Sequence, residues 1–315
     1  MRPRLTVIVP CFNEEATLPL LHPRLGAVLD ALDADARVLY VDDGSRDRTV
    51  ELIEAIASQD PRVALLRLSR NFGKEIAMSA GLDHADADAV VLIDADLQDP
   101  PELIPELVAK HREGYDVVYA VRRSRAGESW LKRATATAFY RVIGSLSRTP
   151  VPQDTGDFRL LSRRAVEALR QVREQHRFMK GLFGWVGFRQ VGVAYDRAPR
   201  AAGDTKWNYW KLWNFAIEGI TSFTSAPLRV ATYVGLASAA FAFLYAIVVI
   251  VKTMLYGDPV AGYPSLMVVM LFLGGIQLMA LGLIGEYLGR LYVEAKRRPL
   301  YLVDRYEAPR ADRGG

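Results

Sequence analysis

Apolar residues in the first part of the chain gather into short runs: Leu5 to Val9, Val38 to Val41, Val63 to Leu68, Ala89 to Ile93 and Val117 to Val121. Each run is rich in Val, Leu and Ile or Ala and is bounded by polar or turn-forming residues, the pattern of a buried strand. Longer stretches of mixed polarity separate them. Strands alternating with helical stretches predict βαβ units and an α/β fold with a mostly parallel sheet. The first helix is predicted to open near Asn13, with Glu14 and Glu15 in its first turn, where carboxylates suit the positive end of the helix dipole. Gly44-Ser45-Arg46-Asp47 breaks the chain after the second run, and Thr49 to Ser58 then reads as helix.

The pattern changes in the last third. Val230 to Val251 holds 22 residues without a charge, and Pro259 to Gly285 another 27. A helix of that length reaches about 33 Å, enough to cross a hydrocarbon core of about 30 Å. The first run contains eleven Leu, Ile, Val and Phe residues. They supply about −3 to −6 kcal/mol of insertion free energy. Two transmembrane helices are therefore predicted. Arg229 precedes the first and Arg290, Lys296, Arg297 and Arg298 follow the second, while Met254 to Pro264 between them carries no Lys or Arg. That asymmetry places both termini on the cytoplasmic side. Lys252 is the dissenting charge, at an end where it can snorkel. Trp207, Tyr209, Trp210, Trp213 and Phe215, interleaved with Lys206 and Lys211, suit amphipathic helices lying in the membrane interface. After the basic cluster, Pro299 to Val303 is compatible with an edge strand or a subunit contact.

Composition narrows the function classes. The chain has 315 residues, a formal net charge of +4 and a single cysteine, Cys11. One cysteine excludes an intrachain disulfide, and the scattered histidines make no zinc pattern. Basic residues cluster beside the membrane runs and at Arg122 to Arg133, Arg159 to Arg177 and Arg197 to Lys211, and no nucleic-acid-binding motif occurs. The positive balance thus reads as a surface for anionic lipid, with no nucleic-acid partner. The run Leu5 to Val9 is too short for the core of a signal peptide.

Candidate chemistry sits where the apolar runs end. Asp94 and Asp96 follow the fourth run on alternate residues, at the carboxyl end of a strand, where ligands bind in open α/β sheets. Two carboxylates about 4 Å apart repel by roughly 4 kcal/mol at an effective dielectric near 20, so the pair suits a divalent cation and the diphosphate it bridges. The plainer alternative is an acidic turn before a helix opening at Pro100-Pro101-Glu102. Asp42-Asp43-Gly44 follows the second run, where an Asp can accept from a base or a ribose hydroxyl, or simply make an Asp-Gly turn. Arg70-Asn71-Phe72-Gly73-Lys74-Glu75 follows the third. Arg70 or Lys74 there could neutralise a diphosphate or merely cap a helix.

In order along the chain, Val9-Pro10-Cys11-Phe12-Asn13-Glu14-Glu15, the Asp42 segment, the Asn71 segment and Asp94-Ala95-Asp96 resemble the family 2 inverting glycosyltransferases of the GT-A fold. Leu97-Gln98-Asp99-Pro100-Pro101-Glu102, Asp154-Thr155-Gly156-Asp157-Phe158-Arg159-Leu160, Arg200-Ala201-Ala202-Gly203-Asp204-Thr205-Lys206 and the two apolar runs narrow the likeness. They are similar to the polyprenyl-phosphate glycosyltransferases, the branch of the dolichol-phosphate mannose synthases and bactoprenol glucosyltransferases. Thr205 and Asp204 stand where that branch more often has Ser and Glu.

The resemblance implies a GT-A catalytic domain over 1–165, acceptor-site and juxtamembrane helices over 166–228, two transmembrane helices over 229–290 and a cytoplasmic tail over 291–315. It further implies that Pro10, Glu14, Asp42, Asp94 and Asp96 bind a nucleotide sugar. Asp94 and Asp96, with Gln98, would hold Mg²⁺ or Mn²⁺. Asp157 falls where the family places its catalytic carboxylate, and Arg122, Arg123, Arg133, Arg200 and Lys206 would meet the acceptor phosphate. The activity implied is inverting transfer of one hexose, glucose from UDP-glucose first among the candidates, to polyprenyl (undecaprenyl) phosphate at the cytoplasmic face of the membrane. A homotetramer and a flippase for the lipid-linked sugar are the implied protein partners. Two other readings stay open: a processive polysaccharide synthase, disfavoured by the missing Gln-x-x-Arg-Trp, and a catalytically silent scaffold for a lipid transporter. Because a lipid phosphate is largely dianionic at neutral pH, Asp157 can serve as base or as orienting group.

Overall fold

The computed structural model describes residues 2–123, 155–175, 177–196, 226–256 and 262–310. The chain forms two compact units, Met1–Ala216 with Pro299–Gly315, and Ile217–Arg298.

The first unit is built on an eight-stranded sheet. Its strands are β1 (Arg4–Cys11), β2 (Asp35–Asp42), β3 (Val63–Leu68), β4 (Ala89–Leu92), β5 (Val117–Arg122), β6 (Thr155–Ser162), β7 (Gln190–Tyr195) and β8 (Val303–Glu307), in the order β7-β5-β6-β4-β1-β2-β3-β8. The central strands β3, β2, β1 and β4 run parallel, joined by helices α1 (Leu18–Asp30), α2 (Thr49–Gln59) and α3 (Lys74–His84). The flanks are mixed. Strand β6 runs antiparallel to both β4 and β5, and β8 antiparallel to β3, so the sheet is mixed where a mostly parallel one was predicted. The tail therefore supplies an edge strand. Residues 166–196 also stay with this sheet, because β7 pairs with β5. The boundary predicted after residue 165 does not divide the unit.

Large side chains such as Tyr40, Phe158 and Leu65 are fully buried between sheet and helices. Each contributes about 1.5–3 kcal/mol of apolar burial. Helix α3 lies close on β1 and β2. A Cβ on its Gly81 would come within 2.5 Å of Ile8 Cγ2, so only glycine lets the backbone approach that near. The first helix starts later than predicted, at Leu18. Asn13 takes a left-handed conformation (φ 55°), which Asn tolerates, and the chain turns through Glu14–Thr17 before the helix begins. Beyond β4, a 3₁₀ turn at Pro101–Leu103 leads into α4 (Ile104–Arg112), and α5 (Arg163–Gln171) and α6 (Met179–Trp185) follow β6.

The second unit contains α7 (Ala226–Tyr256, 31 residues) and α8 (Tyr263–Ala295, 33 residues), packed on one another. Among the described residues, one stretch, Phe272–Ala295, is long and apolar enough to cross a membrane, and Ala231–Tyr245 is a shorter apolar one. The first predicted span, Val230 to Val251, thus lies in the long helix α7, but its described residues do not meet that criterion. Leu236, Phe243, Met254 and Leu278 stand largely exposed, an apolar surface uncommon on a water-soluble protein. The aromatic stretch 205–225 lies outside the described residues.

Candidate active site

The antiparallel register of β4 and β6 pairs Leu92 with Arg159. Continuing that register by two residues on each chain sets Asp94 beside Asp157, two acids far apart in sequence. Lys74, the first residue of α3, completes the cluster. Its Nζ lies 2.6 Å from Asp94 Oδ1 and 2.5 Å from Asp157 Oδ2. One ammonium therefore bridges the residue expected to hold a metal and the residue expected to be catalytic.

The loop that presents Lys74 is held by Asp43. That buried carboxylate accepts the backbone N–H of Phe72 at 2.7 Å and of Gly73 at 2.8 Å. Gly44, with φ +70°, lets the two loops touch. A Cβ there would lie 2.6 Å from the Arg70 carbonyl carbon. The loop after β1 is tied in as well: Asn13 N–H donates to Ser45 Oγ and Arg46 N–H to Asn13 Oδ1, each at 2.9 Å.

Charges around Asp157 are arranged to keep it ionised. Burial alone would raise its pKa, but Lys74 foremost, then Lys180 and Arg159, hold it well below the usual carboxylate range. Its Oδ1 is buried without a hydrogen-bond partner. Arg159 does not pair with this carboxylate. Its guanidinium donates to the backbone oxygens of Gly156 (2.7 Å) and Asp157 (3.3 Å) and lies over the Phe183 ring at 3.7 Å. Arg163 pairs elsewhere, with Asp86. Burial, with Asp157 and Asp99 nearby, pushes Asp94 up to about 6 against the pull of Lys74. Glu75 accepts the Met179 N–H at 2.9 Å, and burial together with Asp157 pushes it up to about 7.

Asp96 accepts the N–H of Gln98 at 3.1 Å, in a turn where Leu97 is left-handed. Asp94, Asp96 and Gln98 follow β4 as hard oxygen donors. Among the described residues no three His, Cys, Asp or Glu side chains converge to hold a metal by themselves. This donor set fits a cation whose remaining ligands are substrate phosphates, the usual arrangement for Mg²⁺.

A cleft of about 570 Å³ opens beside the ends of β1, β2 and β3, with Asn13, Ser45, Arg67 and Arg70 among its lining residues. None of the sequence-predicted nucleotide residues, Pro10, Glu14, Asp42, Asp94 and Asp96, is among its lining residues. Pro10, one residue before the end of β1, pairs with Val41, Glu14 accepts from Thr17 Oγ1 at 2.8 Å, and Asp42 is fully buried behind Arg67, accepting the Ser45 N–H at 3.2 Å.

Of the predicted acceptor residues, Arg122 ends β5 beside Gly156, half-buried, with a Nε that has no hydrogen-bond partner. Tyr195, which also donates to Asp99, contacts the Arg122 guanidinium. Arg123 faces outward, 3.5 Å from Asp196. Arg133, Arg200 and Lys206 lie outside the described residues. Asp43, Glu75, Arg159, Lys180 and Tyr195 were not predicted as site residues. Asp43, Glu75 and Arg159 had a signal, as neighbours of the motif residues, whereas Lys180 and Tyr195 had none.

Comparison with known proteins bears on this geometry. Residues 6–170 match glycosyl transferase family 2, and residues 226–291 match the GtrB C-terminal hairpin. An uncharacterised glycosyltransferase of Synechocystis is 55% identical over 299 residues, covering 95% of this chain and 94% of that protein. A prophage bactoprenol glucosyl transferase homolog of Escherichia coli is 47% identical, covering 96% and 99%. A bactoprenol glucosyl transferase of Shigella phage SfV is also 47% identical, covering 95% and 98%.

Proposed function

Because the chain belongs to glycosyl transferase family 2, we propose that its cluster of Lys74, Asp94 and Asp157 transfers one hexose from a nucleotide sugar to a polyprenyl phosphate. Glucose from UDP-glucose is the proposed donor group and undecaprenyl phosphate the acceptor. The observation that carries this reading is the bridged pair Asp94–Lys74–Asp157, set where the carboxyl end of β4 meets the amino end of the antiparallel β6, on a chain whose near relatives are named bactoprenol glucosyl transferases.

Asp94 and Asp96, with Gln98, would hold Mg²⁺ or Mn²⁺ against the donor diphosphate. Such a cation, when bound, neutralises the leaving nucleoside diphosphate. The reaction forms a bond from an acceptor phosphate oxygen to the sugar C1 and breaks the bond from C1 to the diphosphate. Attack from the opposite face inverts the anomeric centre. No base is needed at neutral pH, because a phosphomonoester with a second pKa near 6 is already largely dianionic. Asp157, held ionised by its cationic neighbours, would be a poor proton acceptor. We assign it to orienting the sugar and countering the positive charge that develops at C1. Arg122, with its unpartnered Nε, is the described cation best placed to receive the acceptor phosphate.

The apolar surface of α7 and α8 supports a chain held in the membrane by two spans, with the sheet unit on the cytoplasmic side. Homo-oligomerisation and a flippase partner complete this reading. The test is turnover by the purified full chain with a panel of nucleotide sugars, with and without undecaprenyl phosphate. Release of UDP from UDP-glucose that requires both lipid phosphate and Mg²⁺ or Mn²⁺ is expected. Undiminished transfer in EDTA contradicts the metal assignment.

A further inference from the structure

Strand β8, which follows the helical hairpin, pairs Tyr306 with Leu66 and Arg305 with Arg67, but the next pair is Val303 with Leu68. Asp304 is therefore the extra residue of a β-bulge, opposite no residue of β3. Bulges at sheet edges re-aim a side chain. The Asp304 carboxylate here lines the cleft and stands 3.6 Å from Arg67 Nη1. On its other side, Arg67 Nε lies 3.7 Å from Oδ2 of the fully buried Asp42. One guanidinium is shared between a carboxylate behind the cleft wall and another at its rim.

The rest of the tail is anchored independently of this contact. Ser69 N–H donates to the Leu302 carbonyl at 2.9 Å, Tyr301 donates to Asp83 at 2.9 Å, and Arg305 pairs with Glu54 and Glu307. Asp304 is not required to dock the strand, and its place at the cleft calls for another role.

We propose that Asp304 is a positioning residue of the donor site, fixing through Arg67 the face that the cleft turns to the nucleotide. Opposite charges attract more strongly where the dielectric is low, so Arg67 with Asp42 as its sole partner folds back onto that buried carboxylate. Asp304 draws it outward. The guanidinium then keeps a planar face for a base and N–H groups for ribose or phosphate oxygens. The strand beyond the hairpin thereby completes a site whose other walls come from the first three βα loops. This inference rests on reading the cleft as the nucleotide site.

The test uses the full-length enzyme, with UDP binding measured by calorimetry and steady-state transfer from UDP-glucose. D304A is expected to weaken UDP binding and raise KM for UDP-glucose about fivefold, leaving kcat within about twofold, as for loss of a half-exposed ion pair. D304E restores both. R305A, which loosens the same strand without touching the cleft, leaves both near wild type. Unchanged UDP binding in D304A overturns the inference while the proposed function stands. So does an equal loss in R305A, since strand docking then accounts for the effect. A wild-type enzyme that turns over another nucleotide sugar but binds no UDP overturns the reading of the donor instead.

Discussion

Lys74 joins two carboxylates that a reader of the sequence treats separately. Asp94 and Asp157 were legible because each sits in a motif, but the ammonium between them depends on the β4–β6 register and on the loop held by Asp43. Neither is written in local pattern. Asp157→Asn is expected to lower kcat by about 10²–10⁴-fold, the range for a positioned group acting on the transition state. Since Asp157 is held ionised and the phosphate supplies its own negative charge, the acid limb of the wild-type rate should rise through about pH 6 with phosphate ionisation. That limb should persist in the Asn variant. A limb that vanishes in Asp157→Asn would make Asp157 the base. Glu75 gives a second pH signature. Its folded pKa is raised to about 7, so between its ordinary value and about 7 the native state keeps a proton that the unfolded chain gives up. Stability from this group therefore falls as pH rises through that window. Glu75→Gln removes the titration, and its gain in Tm over wild type should be larger at pH 8 than at pH 5. A gain independent of pH would contradict the assignment.

Strands β1 to β5 were legible as apolar runs, and each begins and ends within a few residues of its predicted place. Strand β6 was not. Asp157 and Arg159 interrupt its apolar residues, and both are buried because helix α3 supplies Lys74 for one, while backbone oxygens and the Phe183 face of α6 receive the other. Helix α1 was misplaced because Asn13 leaves the helical region of backbone space, a choice enforced by hydrogen bonds to Ser45 and Arg46. Loops after β1, β2 and β3 thus form one interlocked set, and Gly44 is their contact point. Gly44→Ala adds a Cβ against backbone at 2.6 Å with φ at +70°, and is expected to cost about 1–3 kcal/mol. Denaturant unfolding of the full chain measures this. A loss within experimental error would show that the loops can part without cost.

The molecule as a whole combines a sheet unit with a pair of long helices on which large apolar side chains such as Leu236, Phe243, Met254 and Leu278 stand exposed. Both parts were legible at the level of composition, because a charge-free run and an alternating β-rich run differ over tens of residues. What stayed unread is how the tail returns to β3, since five residues of mixed polarity carry no periodic signal and pair by tertiary context alone. The reading of a lipid-phosphate acceptor belongs to this level too. The cluster proposed as catalytic has its own cations, and on a chain with an apolar helical hairpin it suits an acceptor with a charged head and an apolar tail. The most direct test is the anomeric configuration, read by NMR, of the lipid product made from UDP-glucose and undecaprenyl phosphate by the full-length enzyme. A single β-linked glucose on the lipid phosphate is the predicted result, whereas an α-linked glucose, a longer saccharide or donor hydrolysis without a lipid product would contradict the account.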